Sequence, residues 1–133
     1  MDSKEYKKQA LRTNTPDYRG SASRVVGGGR NFGSKKSLDL LHASMGLSTE
    51  SAEFADALKK HIFYGKELDK TNLKEELGDI LWYCAIALEA LDTDFESVMK
   101  TNIDKLSARY PDKFTEEAAK NRDLDKERAI LEK

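Results

Sequence analysis

Residues 72–91 read NLKEELGDILWYCAIALEAL. From Ile80 to Ala90 the stretch is apolar except for Glu89, yet its first turns carry Glu75, Glu76 and Asp79. The apolar positions recur at helical rather than alternating spacing, so the stretch reads as a helix. A helix apolar nearly all round is one covered on every side. Ionised carboxylates beside such a core cost several kcal/mol each unless a cation is held between them.

The same pattern occurs upstream. When Leu47 is set against Leu73, Glu50, Glu53, Phe54 and Leu58 fall on Glu76, Asp79, Ile80 and Cys84. At about 100° per residue, the two carboxylates of each pair lie roughly 60° and 120° from the leucine, so both pairs edge the buried stripe on the same side. Residues three apart on a helix stand about 5–6 Å apart at Cβ, so each pair can aim at one point. Antiparallel packing would bring all four together, and a divalent cation would relieve their repulsion. Ligands that are all oxygen favour a hard ion, Mg²⁺ first and Mn²⁺ second. Either pair alone is ordinary for the positive end of a helix dipole; its repetition on two helices argues for a site. The di-iron pattern of helical bundles needs Glu-x-x-His, and neither His42 nor His61 lies three residues after a glutamate.

Outward from these helices the chain reads as all-α, one domain over 1–133. A short helix is expected over 2–12, ended before Pro16 by the restriction proline places on its predecessor. Residues 18–36 form a Gly- and Ser-rich loop with Arg19, Arg24, Arg30, Lys35 and Lys36 and no acid. A long helix over about 36–63 stops at Gly65. Asn72 with Glu75 has the form of a cap for the next helix, and Thr93 with Glu96 the form of a capping box for a fourth, running to about Tyr110. Residues 115–133 form a charged helical arm. A protomer of this size cannot cover the third helix by itself, so an obligate homodimer or a dimer of dimers is expected.

Composition narrows the classes. The 23 basic and 24 acidic residues nearly cancel, without the basic excess of a nucleic-acid binder. No apolar run approaches the roughly 18 residues of a membrane span. The N-terminus, MDSKEYKKQALR, is charged, and a cytoplasmic protein is expected. Cys84 stands alone within the apolar helix, as a small core residue. The stretch GGRNFGSK from Gly28 is not a phosphate loop, because Ser34 and Lys35 stand where Lys and Ser or Thr are required. A disordered linker is the preferred reading, with a basic lid over a bound triphosphate through Arg30, Lys35 or Lys36 as the alternative. Trp82 falls away from the carboxylates, on the side assigned to subunit packing. Tyr83 falls nearer them and is read as core packing, with contact to a base or phosphate the alternative. His42 reads as a surface histidine.

With these residues in view, LHASMGLSTESAEFADALKK, LKEELGDILWYCAIAL and NIDKLSARYPDKF resemble segments of the MazG-like nucleoside triphosphate pyrophosphohydrolases, over residues 38–114. The resemblance implies a helical-bundle protomer forming a dimeric four-helix core. It also implies Mg²⁺-dependent cleavage of an NTP or dNTP to the monophosphate and pyrophosphate. Glu50, Glu53, Glu76 and Asp79 match the family's metal ligands, and Asn102 and Lys105 match its nucleotide and phosphate contacts, with Arg109 at the end of that segment. The arm resembles tails in phage and bacterial members. One departure is that Ser48, Thr49, Ser51 and Ala52 surround Glu50 where the family often has paired acids and a glycine. The general base is left open between Glu50 and Glu53. Two other readings stand beside this one: a non-catalytic helical adaptor, and a superfamily pyrophosphatase narrow for dUTP, dCTP or phosphoribosyl-ATP.

Overall fold

The structure, a computed structural model, describes residues 1–16, 18 and 34–132. Among them are six helices and no strand: α1 (Ser3–Leu11), α2 (Lys35–Tyr64), α3 (Lys70–Ala90), α4 (Phe95–Arg109), α5 (Glu116–Lys120) and α6 (Leu124–Leu131). The protein is all-α, as its periodicity requires. It divides into two compact units, 1–93 and 94–133. Arg30 and most of the basic loop lie outside the described residues. Among the described residues no helix is long and apolar enough to cross a membrane.

In the first unit α3 packs along α2 and also carries α1. The Ser34 side chain caps α2 by accepting from Ser37 N–H. At the far end Gly65 takes the left-handed backbone (φ 64°) that stops a helix, as expected of a glycine there. The link 65–69 then turns the chain back. Lys36, at the start of α2, reaches Asp92, just past the end of α3, at 2.5 Å, so the two helices run antiparallel. The seam is closed by small residues, with Ala43, Ala85 and Gly46 buried. At Gly46 the approach is closest: a Cβ there would lie 2.1 Å from the Tyr83 ring.

Two caps differ from expectation. Asp69, not Asn72, caps α3, accepting from the backbone of Thr71 and Asn72 at 3.0 Å each. Asp94, not Thr93, caps α4, accepting from Ser97 N–H at 2.8 Å. In both places a carboxylate fills the capping position at a neighbouring residue, and short polar side chains compete for that role on nearly equal terms. Trp82 differs as well. Its indole N–H donates to Ala10 O (3.2 Å) and lies 2.8 Å from Thr13 Oγ1, so α1 of the same chain engages the residue assigned to subunit packing. Tyr6 O–H to Gly78 O (3.3 Å) and Lys7 to Thr93 O (2.7 Å) and Glu89 (2.9 Å) fasten the rest of α1 to α3.

In the second unit α6 packs on α4 around one buried carboxylate. Arg109 donates Nε to Glu127 Oε1 at 2.8 Å and a terminal nitrogen to Oε2 at 2.6 Å. Arg122 adds a third contact at 2.7 Å. The helical arm expected over 115–133 appears as α5 and α6, capped by Thr115 and Asp123.

Candidate metal centre

Each of the two long helices contributes carboxylates to the same flank of the first unit. Glu50 from α2 and Glu76 and Asp79 from α3 each offer an oxygen, and the three oxygens lie within 4.8 Å of one another. Glu53, one turn beyond Glu50, stands outside that group and is exposed. The structure thus brings three of the four carboxylates together. The fourth lines an adjoining cavity of about 570 Å³, whose wall also includes Asp56, Lys60, Lys66, Asn72 and Glu76.

Electrostatics in the group are those of crowded anions. Burial first, then the charges of Glu53, Asp79 and Glu76, push the Glu50 carboxyl above its ordinary range, against the pull of the Thr49 hydroxyl at 3.2 Å. Burial, and then the charges of Glu50 and Asp79, raise the Tyr83 phenol above its ordinary range. The same ring packs against Gly46. Cys84 is raised by burial, which keeps the thiol protonated.

His42 is half-buried rather than a surface histidine. Its ring makes edge contacts with Trp82 (6.0 Å) and Tyr83 (5.4 Å), and Nδ1 lies 3.2 Å from Tyr18 O–H. Tyr18 O–H donates to Asp39 at 2.8 Å, and Asp39 is also held by Lys35 at 2.6 Å and by Asn14.

Three carboxylates are buried among the described residues: Asp39, Glu76 and Glu127. Lys35 neutralises Asp39, and Arg109 with Arg122 neutralises Glu127. Glu76, 4% exposed, has the Asn72 amide at 2.6 Å and two further carboxylates beside it. A buried charge compensated by a neutral donor alone is costly. The donor set fits a divalent ion, since all three candidate ligands are hard oxygens.

These helices and this flank are where similarity to known proteins falls. Residues 40–114 match the MazG nucleotide pyrophosphohydrolase domain. The chain belongs to the MazG family. The matched segment takes in most of α2 and all of α3 and α4, including every carboxylate of the cluster. The Gene 37 protein of Mycobacterium phage L5 is 35% identical over 75 residues, 53% of this chain and 65% of that protein. The match therefore spans just under two-thirds of that phage relative. No solved structure matches the chain.

The remaining residues of the MazG-like pattern lie on α4, in the second unit. Asn102 is exposed and Lys105 half-buried. Arg109 presents its fork to Glu127, an arrangement that the i, i+7 spacing from Asn102 did not foretell because the partner lies in the arm. The sequence reading also passed over Asn72 as a partner of Glu76. Its signal was the four-residue spacing, which places an amide and a carboxylate side by side on a helix.

Proposed function

We propose that this chain is a Mg²⁺-dependent nucleoside triphosphate pyrophosphohydrolase, with Mn²⁺ as a substitute, that converts an NTP or dNTP to the monophosphate and pyrophosphate. The observation that carries the reading is the buried Glu76 carboxylate. It has no basic partner among the described residues and lies with Asp79 of its own helix and Glu50 of the antiparallel α2. Membership of the MazG family supplies the reaction class.

On this reading Glu50, Glu76 and Asp79 would hold the ion, and Glu53, at the cavity wall, belongs to the set without being fully used as a ligand. The bound metal supplies charge neutralisation on the triphosphate and activation of water. Glu53, outside the three-carboxylate group and exposed to the cavity, is the better placed of the two candidate bases. It takes a proton as the water oxygen bonds to the α-phosphorus and the bond to the α–β bridging oxygen breaks, so that pyrophosphate leaves with that oxygen. Asn102 and Lys105 are the proposed contacts to nucleotide and phosphates, on the strength of the motif. Arg109 joins them only when Glu127 releases it. The family match, residues 40–114, includes residues of both compact units.

A homo-oligomer, a dimer or dimer of dimers, is part of the proposal. Leu41 and Met45 sit one turn apart on α2, and Leu77 and Leu81 one turn apart on α3, all between 46% and 62% exposed. Apolar pairs repeated along helices are what a partner helix covers. A cytoplasmic enzyme is the setting in which nucleoside triphosphates are met.

Product analysis tests the reading. Common NTPs and dNTPs are incubated with Mg²⁺, and monophosphate, diphosphate, pyrophosphate and phosphate are resolved for the parent, Glu53→Gln and Asp79→Asn. Monophosphate with pyrophosphate from the parent, reduced by at least ~10²-fold in both variants, is the expected result. No turnover of any nucleotide, with no Mg²⁺- or Mn²⁺-linked rise in Tm, would return the chain to the adaptor class.

A further inference from the structure

We infer that Asn72 is a positioning residue that sets how tightly the Glu50–Glu76–Asp79 cluster takes a divalent cation, an inference that rests on the metal-dependent reading above. Because Asp69 caps α3, Asn72 occupies the third helical position with its backbone N–H already bonded to Asp69 Oδ1 at 3.0 Å. Its side chain is then free to reach along the helix, and Nδ2 donates to Glu76 Oε1, one turn on, at 2.6 Å. An ionised carboxylate can only accept, so this contact fixes which end of the amide faces Glu76.

The contrast with the other buried carboxylates gives the bond its meaning. Asp39 and Glu127 are met by basic side chains, which both orient and neutralise them. At Glu76 a neutral amide orients the group and leaves its charge intact for a cation. Asn72 also lines the cavity beside the cluster. Donors that orient metal-binding side chains typically change affinity by about 10–100-fold when removed.

Isothermal titration with Mn²⁺ and with Mg²⁺ tests this on the full chain, comparing the parent, Asn72→Ala and Thr71→Ala. Thr71 shares the helical turn and has no contact with Glu76, so its variant reports any general loosening of the helix start. Expected is an affinity loss of about tenfold or more for Asn72→Ala, with Thr71→Ala within about twofold of the parent. A parent that binds Mn²⁺ alongside an Asn72→Ala variant that binds it equally well or more tightly would overturn the inference and leave the proposed function standing. Equal losses in both variants would overturn it as a fault of the helix start. A parent that binds neither ion would bring down the proposed function and the inference together.

Discussion

Gly46 shows how much of the site depends on one hydrogen atom. Any side chain there meets the Tyr83 ring at 2.1 Å, in a seam where Tyr83 is also fixed by His42 and Trp82. Gly46→Ala should therefore cost about 1–3 kcal/mol in chemical denaturation, the usual range for overpacking, even though alanine favours the helix. The carboxylates respond in the opposite sense. Unit charges within 4.8 Å repel by about 1 kcal/mol even at the dielectric of water. Asp79→Asn should accordingly stabilise the metal-free protein by about 1 kcal/mol while abolishing any Mn²⁺-linked rise in Tm. A metal-free Tm that falls on this substitution would show that Asp79 is structural. Of these residues the carboxylates were legible in the sequence, because their spacing repeats on two helices. The Gly46–Tyr83 contact was not, since it depends on how closely two helices approach.

Among the elements, α3 ends in a way no glycine announced. Asp92 takes φ 55°, its N–H bonds Glu89 O at 3.1 Å, and Thr93 N–H bonds Leu88 O at 3.0 Å. This is the two-bond terminus that glycine usually makes, here with a residue whose short polar side chain tolerates left-handed backbone. Asp92→Ala should cost about 1 kcal/mol or more by thermal or chemical denaturation, and Asp92→Gly should stay within about 0.5 kcal/mol of the parent, since the exposed Lys36 pair contributes little. The arm makes a pH prediction. Hydrogen bonds and charge from Arg109 and Arg122 hold the Glu127 carboxyl down to about 2, against its burial. A carboxyl depressed on folding contributes stability that is fully present above pH 4.5 and is lost as pH falls through about 2. Amide protection of α6, relative to the intrinsic exchange rate at each pH, should thus fall across that acid window, and Glu127→Gln should make it low at neutral pH and nearly independent of acid. Helix extents were readable from periodicity and from Pro16 and Gly65. The capping residues of α3 and α4 were not, because several adjacent polar side chains can fill one capping position.

For the whole molecule the testable property is assembly. Leu41, Met45, Leu77 and Leu81 leave apolar ridges on two long helices, and a chain of 15.0 kDa should give light-scattering masses at a multiple of that value in the micromolar range. Leu77→Asp with Leu81→Asp should shift that mass to the monomer; a parent that is already monomeric would refute the assembly. The sequence by itself determined the helical class, the pairing of two acidic helices and the family resemblance, because each is a matter of residue type at fixed spacing along one chain. Only the tertiary structure decided which carboxylates meet, that Asn72 serves Glu76 rather than the helix end, that α1 holds Trp82, and that Glu127 occupies Arg109. Those outcomes depend on which surfaces come together across the chain. Local periodicity sets the direction a side chain points, and the packing of distant elements sets what it finds there.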